Sequence, residues 1–426
     1  MIHLFALLLF SFAFGQEFIK LTPRSAYELA LKNNPELKKL RYEIESFNFQ
    51  YQEAKNYFLP YISVGSGLIY NSKTQEWEKP FGISFVSILY EYRKTPSRIR
   101  SAELRYKIKR EALKQLERDI KVRILELFAQ ASLYKKLTEV KREEMAIAYV
   151  RFDRSQQKKQ LGLSTNLEVY QLESVYREKR KELLQAQYEY NKALLEIKRL
   201  TGIDMDALID IEDIDFKPKV GEIDKERLLR SALDNNPIVK IRKYELETYD
   251  ELIKEANSIF TPRIQLRGEI GNTIRTGFFQ TKAYNQNGWR AGIEIFVPLF
   301  DPSSLYKVED LTSQKRMAEV DLQDTINEFR LLADSASYRY AYLLAQLDSA
   351  LVKNKYAEEN LTLRRSEYEL ELAFDLGYAM AEKSEAERQL MQAKYDILLF
   401  FARLYRLAGL DPYLIFEKGD EFVKTQ

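Results

Sequence analysis

Apolar residues recur along most of this chain in steps of three and four, but in four short stretches the step falls to two. After Pro96 neither proline nor glycine occurs until Gly162, and Leu104, Ile108, Ala112, Leu116, Ile120, Ile124 and Leu127 mark one face of a single helix. At a rise of 1.5 Å per residue, such a helix runs on the order of 100 Å. In the period-two stretches, Ile62, Val64, Leu68 and Tyr70 alternate with Ser63, Gly65 and Gly67, and Phe81, Ile83 and Phe85 alternate with Gly82 and Ser84. Ile264, Leu266, Gly268 and Ile270 alternate with Arg263, Gln265, Arg267 and Glu269, while Ala291, Ile293 and Ile295 are opposed by Arg290, Gly292 and Glu294. These predict four strands, at about 60–70, 81–92, 262–272 and 289–300, each apolar on one side and polar or small on the other.

The pattern occurs twice. Residues 30–60, ALKNNPELKKLRYEIESFNFQYQEAKNYFLP, align without a gap with residues 232–262, ALDNNPIVKIRKYELETYDELIKEANSIFTP, at an offset of 202. The ends correspond too: Gln185-Ala186-Gln187-Tyr188 and Leu200-Thr201-Gly202 recur as Gln392-Ala393-Lys394-Tyr395 and Leu407-Ala408-Gly409. The chain thus divides into a leader (1–15), a first repeat (16–220) and a second repeat (221–426) ending in a C-terminal tail. Each repeat holds shorter helices, two strands and two long helices, the latter over about 95–201 and 302–408. Thr22-Pro23, Asn34-Pro35, Thr95-Pro96, Asn236-Pro237 and Asp301-Pro302 mark helix starts, because the cap oxygen accepts first-turn amides and proline at the first helical position forfeits no hydrogen bond. The acidic stretch Ile203 to Gly221 reads as a linker.

Composition narrows the chemistry. The 66 basic and 64 acidic side chains almost cancel, so no basic field points to nucleic acid. There is no cysteine, and the single histidine, His3, falls in the leader. Thiol or histidine-based catalysis and Cys/His metal sites are thereby excluded. No catalytic residue, metal site or cofactor is expected, and the carboxylates read as solvated helix faces. The uncharged leader MIHLFALLLFSFAFG, with Ala13 and Gly15 before Gln16, reads as a secretory signal peptide. A buried N-terminal segment is the alternative. No other stretch is apolar for long enough to form a spanning helix, so a membrane position would have to rest on the strands. Trp77, Trp289, Tyr70, Phe81, Tyr90, Phe278, Phe279 and Tyr284 lie near strand ends, as an interfacial girdle would. The polar connections 71–80 and 273–288 read as outward loops. Four strands cannot close a barrel, and an open edge in lipid leaves backbone groups unpaired. Either a dimer with eight strands or a trimer with twelve satisfies that constraint. Ile264, Leu266, Ile293 and Ile295 would then face lipid, and Arg263, Arg267, Glu269, Arg290 and Glu294 the lumen.

The paired Ala-Leu-x-Asn-Asn-Pro segments, the run Val297-Pro298-Leu299-Phe300-Asp301, and Lys159-Gln160-Leu161-Gly162-Leu163-Ser164-Thr165-Asn166-Leu167-Glu168-Val169 resemble the TolC-like outer-membrane efflux proteins over nearly the whole mature length. The resemblance implies an α+β membrane protein: a homotrimer with a twelve-stranded transmembrane β-barrel in outer-membrane lipid, continued by an α-barrel of long antiparallel helices across the periplasm. It also implies a passive exit duct serving an inner-membrane pump and a periplasmic adaptor, in efflux or type I secretion. By alignment with that family, Asp375 falls on its acidic gate position and Glu168 is the first-copy counterpart. Tyr378 replaces a second acid, and Glu369 stands where the family has glycine, with Gly377 as a displaced substitute. The alternative for Asp375 is a helix-start cap or a solvated carboxylate. A secreted periplasmic coiled-coil structural or adaptor protein without a pore is the alternative reading of the whole chain.

Overall fold

The fold was taken from a computed structural model, which describes residues 19–72, 75–218, 221–258, 261–272, 274–275, 283–284, 288–299, 302–369, 376–417 and 422–424. The first repeat runs β1 (Ile19–Leu21), α1 (Pro23–Asn33), α2 (Pro35–Lys55), β2 (Tyr61–Ser66), β3 (Ile69–Asn71), β4 (Glu76–Glu78), β5 (Phe81–Glu91), α3 (Lys94–Gln160), α4 (Asn166–Thr201) and β6 (Ile209–Ile211). The second runs β7 (Glu222–Ile223), α5 (Lys225–Asn235), α6 (Pro237–Asn257), β8 (Arg263–Gly271), β9 (Ile274–Arg275), β10 (Ala283–Tyr284), β11 (Gly288–Phe296), α7 (Pro302–Glu369) and α8 (Leu376–Leu407). It closes with a 3₁₀ turn, Pro412–Phe416, and β12 (Val423–Lys424).

The two repeats are not two compact bodies. The chain instead forms two units, each drawing on both repeats: residues 39–115 with 237–328, and residues up to 38 with 116–236 and 329 onward.

In the first of these, β11, β8, β5 and β2 form one four-stranded antiparallel sheet in that order. Helices follow the same order beside it. Lys109 of α3 pairs with Glu43 of α2 (2.8 Å), Arg98 and Arg100 of α3 reach Glu255 and Glu247 of α6 (3.2 and 2.5 Å), and Lys315 of α7 reaches Asp250 of α6 (2.9 Å). The predicted strand over 60–70 is broken at Gly67 and Leu68, and its second half folds back as the β3–β4 hairpin, which occupies what reads in sequence as a loop.

The other unit is a helical bundle. Its core is built on Phe128, Tyr340, Phe401, Tyr405 and Phe422, all almost fully buried, with Tyr340 stacked on Phe400 (5.8 Å) and edge-on to Phe401 (5.1 Å). The stretch expected to be a linker is part of this core. Ile209, Ile211, Ile214 and Phe216 are buried, and β6 pairs in parallel with β1. Its acids alternate with these apolar residues, so overall composition hides a strand and its extension. β12 closes the chain against β7 in the same unit.

Candidate channel wall and gate

Strand register sorts the sheet into two faces. Across β11 and β8, Ile293 lies opposite Leu266 and Ile295 opposite Ile264, continued by Trp289 opposite Ile270. From β5 and β2, Ile83, Phe85, Val64 and Ile62 join that side. Ile293 and Ile295 are 66% and 67% exposed, and Trp289 is 76% exposed. An exposed apolar face of this breadth is not left to water in a stable protein. Gly268 sits at its middle, opposite Phe85, in the place where a β-carbon would run into the Phe85 ring. A large cross-strand aromatic and a glycine therefore share one site.

The other face carries the charges, and they satisfy one another. Arg267 contacts Glu269 (3.3 Å) and Glu294 (3.6 Å), Arg290 contacts Glu269 (3.5 Å), and Gln265 donates to Glu294 (2.8 Å). Arg263 meets Glu91 of β5 at 3.4 Å. That contact depends on a β-bulge: Ile88 pairs with Gln265, but Tyr90, not Leu89, pairs with Ile264, and the extra residue brings Glu91 opposite Arg263. Glu91 is buried and also accepts from Thr95 (3.2 Å). Glu91 was not foreseen, because period-two counting through residues 81–91 puts it on the wrong side. Val86 and Ile88 extend this face with apolar side chains.

The gate candidates fare differently. Asp375 lies outside the described residues, as do Phe278, Phe279, Phe300 and Asp301. Glu168 is exposed in the first turn of α4, where its amide donates to Thr165 Oγ1 (3.2 Å) and its carboxylate accepts from the Ser164 hydroxyl (2.8 Å). It stabilises the α3–α4 turn, which Gly162 opens with φ +73°. Tyr378 lies in the first turn of α8 with the Arg151 guanidinium of α3 over its ring, 4.5 Å from the centroid. Beside it, Gly377 lets α8 come so near α3 that a β-carbon would stand 3.0 Å from Ile147 Cγ1.

Ion pairs order the bundle as α4–α3–α8–α7. Lys141 of α3 meets Glu182 of α4 (2.9 Å), Lys136 of α3 meets Glu387 of α8 (3.0 Å), and Lys383 of α8 meets Glu358 of α7 (3.3 Å). Between α3 and α4 the charges close a ring, since Lys179 contacts both Glu182 (3.2 Å) and Glu144 (2.9 Å), and Lys141 also contacts Glu144 (3.1 Å). Burial pushes the Glu182 carboxyl up, but the hydrogen bonds from Lys141 and Lys179 outweigh it and hold the group below the ordinary value. The bond to Glu144 and then that to Glu182 raise Lys179 against desolvation.

The outer helices of this row keep apolar stripes uncovered. On α4, Leu167, Tyr170, Leu184, Tyr188 and Leu195 share one exposed helical face, and on α7 so do Leu331, Tyr338, Tyr342, Val352, Tyr356 and Leu363. Among the described residues, the sheet's outer strands, β2 and β11, likewise lack a neighbour on one side.

Comparison with known proteins agrees with this architecture. The family model described as Outer membrane efflux protein matches residues 26–203, which is most of the first repeat. The alkaline protease secretion protein AprF of Pseudomonas aeruginosa is 23% identical over 415 residues, 90% of this chain and 83% of that protein. Among solved structures, the CmeC outer membrane channel of Campylobacter jejuni superposes with a TM-score of 0.70 at 16% identity, covering 95% of this chain and 90% of its own. The outer membrane protein VceC of Vibrio cholerae does so with a TM-score of 0.67 at 16% identity, covering 91% and 96%. The chain is thus similar to the outer membrane efflux proteins in sequence pattern over most of its first repeat, and it shares the fold of solved outer membrane channels along nearly its whole length.

Proposed function

We propose that three copies of this chain close into one outer-membrane channel, a passive duct for cargo handed over by an inner-membrane pump through a periplasmic adaptor. The observation that carries this reading is the four-stranded sheet, apolar and exposed on one face, charged on the other, and unpaired at both edges among the described residues. In an antiparallel sheet of four strands the two edge strands run in opposite directions. β11 of one copy can therefore lie beside β2 of the next and continue the alternation without a parallel mismatch. Closure removes the edges, which lipid does not tolerate. Eight strands or twelve would satisfy the geometry, and the resemblance to the outer membrane efflux proteins favours twelve from three copies.

In this reading Ile264, Leu266, Ile293 and Ile295 face lipid, while Arg263, Arg267, Glu269, Arg290 and Glu294 line the lumen. The stripes on α4 and α7 meet between neighbouring copies, closing the helical wall in the same way. A pore-less tether would have no use for an apolar sheet face. Asp375, from its place in the family pattern, brings one carboxylate per copy to the constriction, and Tyr378 takes the position of a second acid.

Cysteine crosslinking tests the closure, because the chain has no cysteine of its own. Ile62 and Ile293 sit on strands separated by two others, about 14 Å apart within one copy, beyond disulfide reach. Ile62→Cys combined with Ile293→Cys, and the same pairing shifted by two residues along β11, should give covalent dimers and trimers from oxidised outer membranes. Monomers alone across the whole set would refute the closure.

A further inference from the structure

Apart from the channel wall, the helical unit contains a cavity of about 550 Å³ between α1, α3, the stretch after β6 and the 3₁₀ turn. Its floor is aromatic: Tyr27 and Tyr413 meet edge to face at 5.9 Å, and Phe416 adds a third ring 6.0 Å from Tyr413. Lys121 of α3 reaches into it. Its ammonium stands 4.5 Å from the Tyr27 ring centroid and 5.4 Å from that of Tyr413, and it pairs with Asp411. Asp411 in turn caps the 3₁₀ turn through the Tyr413 amide (2.9 Å), and the Tyr413 hydroxyl donates to the Pro23 carbonyl (2.9 Å), so the floor is locked.

The rim is far more acidic than one lysine requires. Six carboxylates line the cavity against two cations, Arg24 and Lys121. Asp411 is taken by Lys121, and Asp213 accepts from Ser132 (2.6 Å). Glu28, Glu212, Asp215 and Glu417 form no ion pair among the described residues. Ring faces attract cations, carboxylates add to that attraction, and the volume falls in the range of small-molecule sites.

We propose that this cavity is a binding site for an amphipathic organic cation, a primary ammonium or guanidinium on an aryl or short alkyl body. The body rests on the Tyr27–Tyr413–Phe416 floor, and the cationic head is held at the rim by Glu212 and Asp215. The site is built within a single chain and does not depend on the pore, so it is a place of binding distinct from the duct. Lys121 shows the preference of the floor, since the chain's own ammonium already sits against both tyrosines.

The test uses the full chain, purified in mild detergent, with 4-phenylbutylamine as probe and 4-phenylbutanol as its uncharged counterpart, measured by equilibrium dialysis. The amine should bind with a Kd on the order of 10⁻⁴ M, about 5.5 kcal/mol, and the alcohol at least about tenfold more weakly. Glu212→Gln with Asp215→Asn, both exposed side chains, should weaken the amine about tenfold while the oligomer elutes unchanged. Lys121→Met removes the competing ammonium and should tighten the amine. Equal binding of amine and alcohol, or an unaltered Kd in the Glu212→Gln/Asp215→Asn protein, would overturn the proposal. Crosslinking of β2 to β11 reads the channel closure separately, so failure of one leaves the other standing.

Discussion

Asn34 donates its side-chain amide to the carbonyl of Leu200 at 3.2 Å, tying the start of α2 to the end of α4 in the first repeat. The second repeat copies the arrangement, with Asn236 donating to Leu407 at 2.8 Å. Both asparagines are almost fully buried. The side-chain oxygen of Asn34 also accepts from the amides of Glu36 (2.9 Å) and Leu37 (3.2 Å), so one residue caps one helix and terminates another. Gly202 and Gly409, both at left-handed φ, end those terminated helices where a β-carbon would strike Asn33 and Asn235. The Asn-Asn-Pro and Leu-x-Gly motifs of each repeat are therefore the two halves of one joint.

Breaking that joint should be costly. Asn34→Ala removes a cap worth about 1 kcal/mol and leaves a helix-end carbonyl without its buried donor, for a total loss of about 2–3 kcal/mol. Asn34→Asp keeps the cap but loses the donor, and should lose about half as much. Thermal unfolding in detergent checks the ranking, and an Asn34→Asp protein as stable as the parent would show that the tie to Leu200 contributes nothing.

The two faces of the sheet should respond oppositely to charge. Ile293→Arg places a cation on the proposed lipid face and should cost about 2–4 kcal/mol near the bilayer midplane, seen as reduced assembly in outer membranes. Glu294→Gln, one residue along, keeps the hydrogen bond from Gln265 possible and should assemble normally. If Ile293→Arg assembles as well as Glu294→Gln, Ile293 does not face lipid.

Gly268→Val should displace the Phe85 ring that crosses it, at about 1–3 kcal/mol of overpacking. Phe85→Ala in the same chain should recover part of that loss, because it vacates the contested space. Heat stability of the assembled protein on gels measures both, and additive damage would contradict the contact.

The ring of Lys141, Glu144, Lys179 and Glu182 gives a pH dependence of known sign. Glu182 is held below its ordinary value of 4.5, so its contribution is fully present above that value and is lost as pH falls through the lower folded one. Glu182→Gln should lower stability at pH 7 by about 0.5–1 kcal/mol, a modest figure because the pair is partly exposed, and should flatten the loss seen on acidification. Denaturation midpoints at pH 7 and at pH 3.5 decide it, and the idea fails if variant and parent lose stability alike on acidification.

Asp375→Asn tests the constriction. In the proposed trimer, three carboxylates around one axis would favour cations and bind multivalent cations that block the pore. The variant should lose cation preference and multivalent block in single-channel recordings while its assembly is unchanged. Unaltered conductance properties would assign Asp375 to a helix cap instead.

The sequence by itself determined the local structure and its duplication. Helices α3 and α7 were legible because long stretches lack proline and glycine between period-3.6 apolar positions, and the two faces of β8 and β11 because alternation by two is unaffected by what lies beside a strand. Only the tertiary structure decided neighbours. Nothing local in Val86 or Arg267 states that β5 of one repeat pairs with β8 of the other, making one four-stranded sheet from both repeats. The bulge that delivers Glu91 to Arg263, the burial of Ile209 and Ile211 in an acidic stretch, and the seat of Lys121 between Tyr27 and Tyr413 belong to the same class. Each joins residues far apart in the chain, and periodicity records which face a residue occupies but not what will cover it.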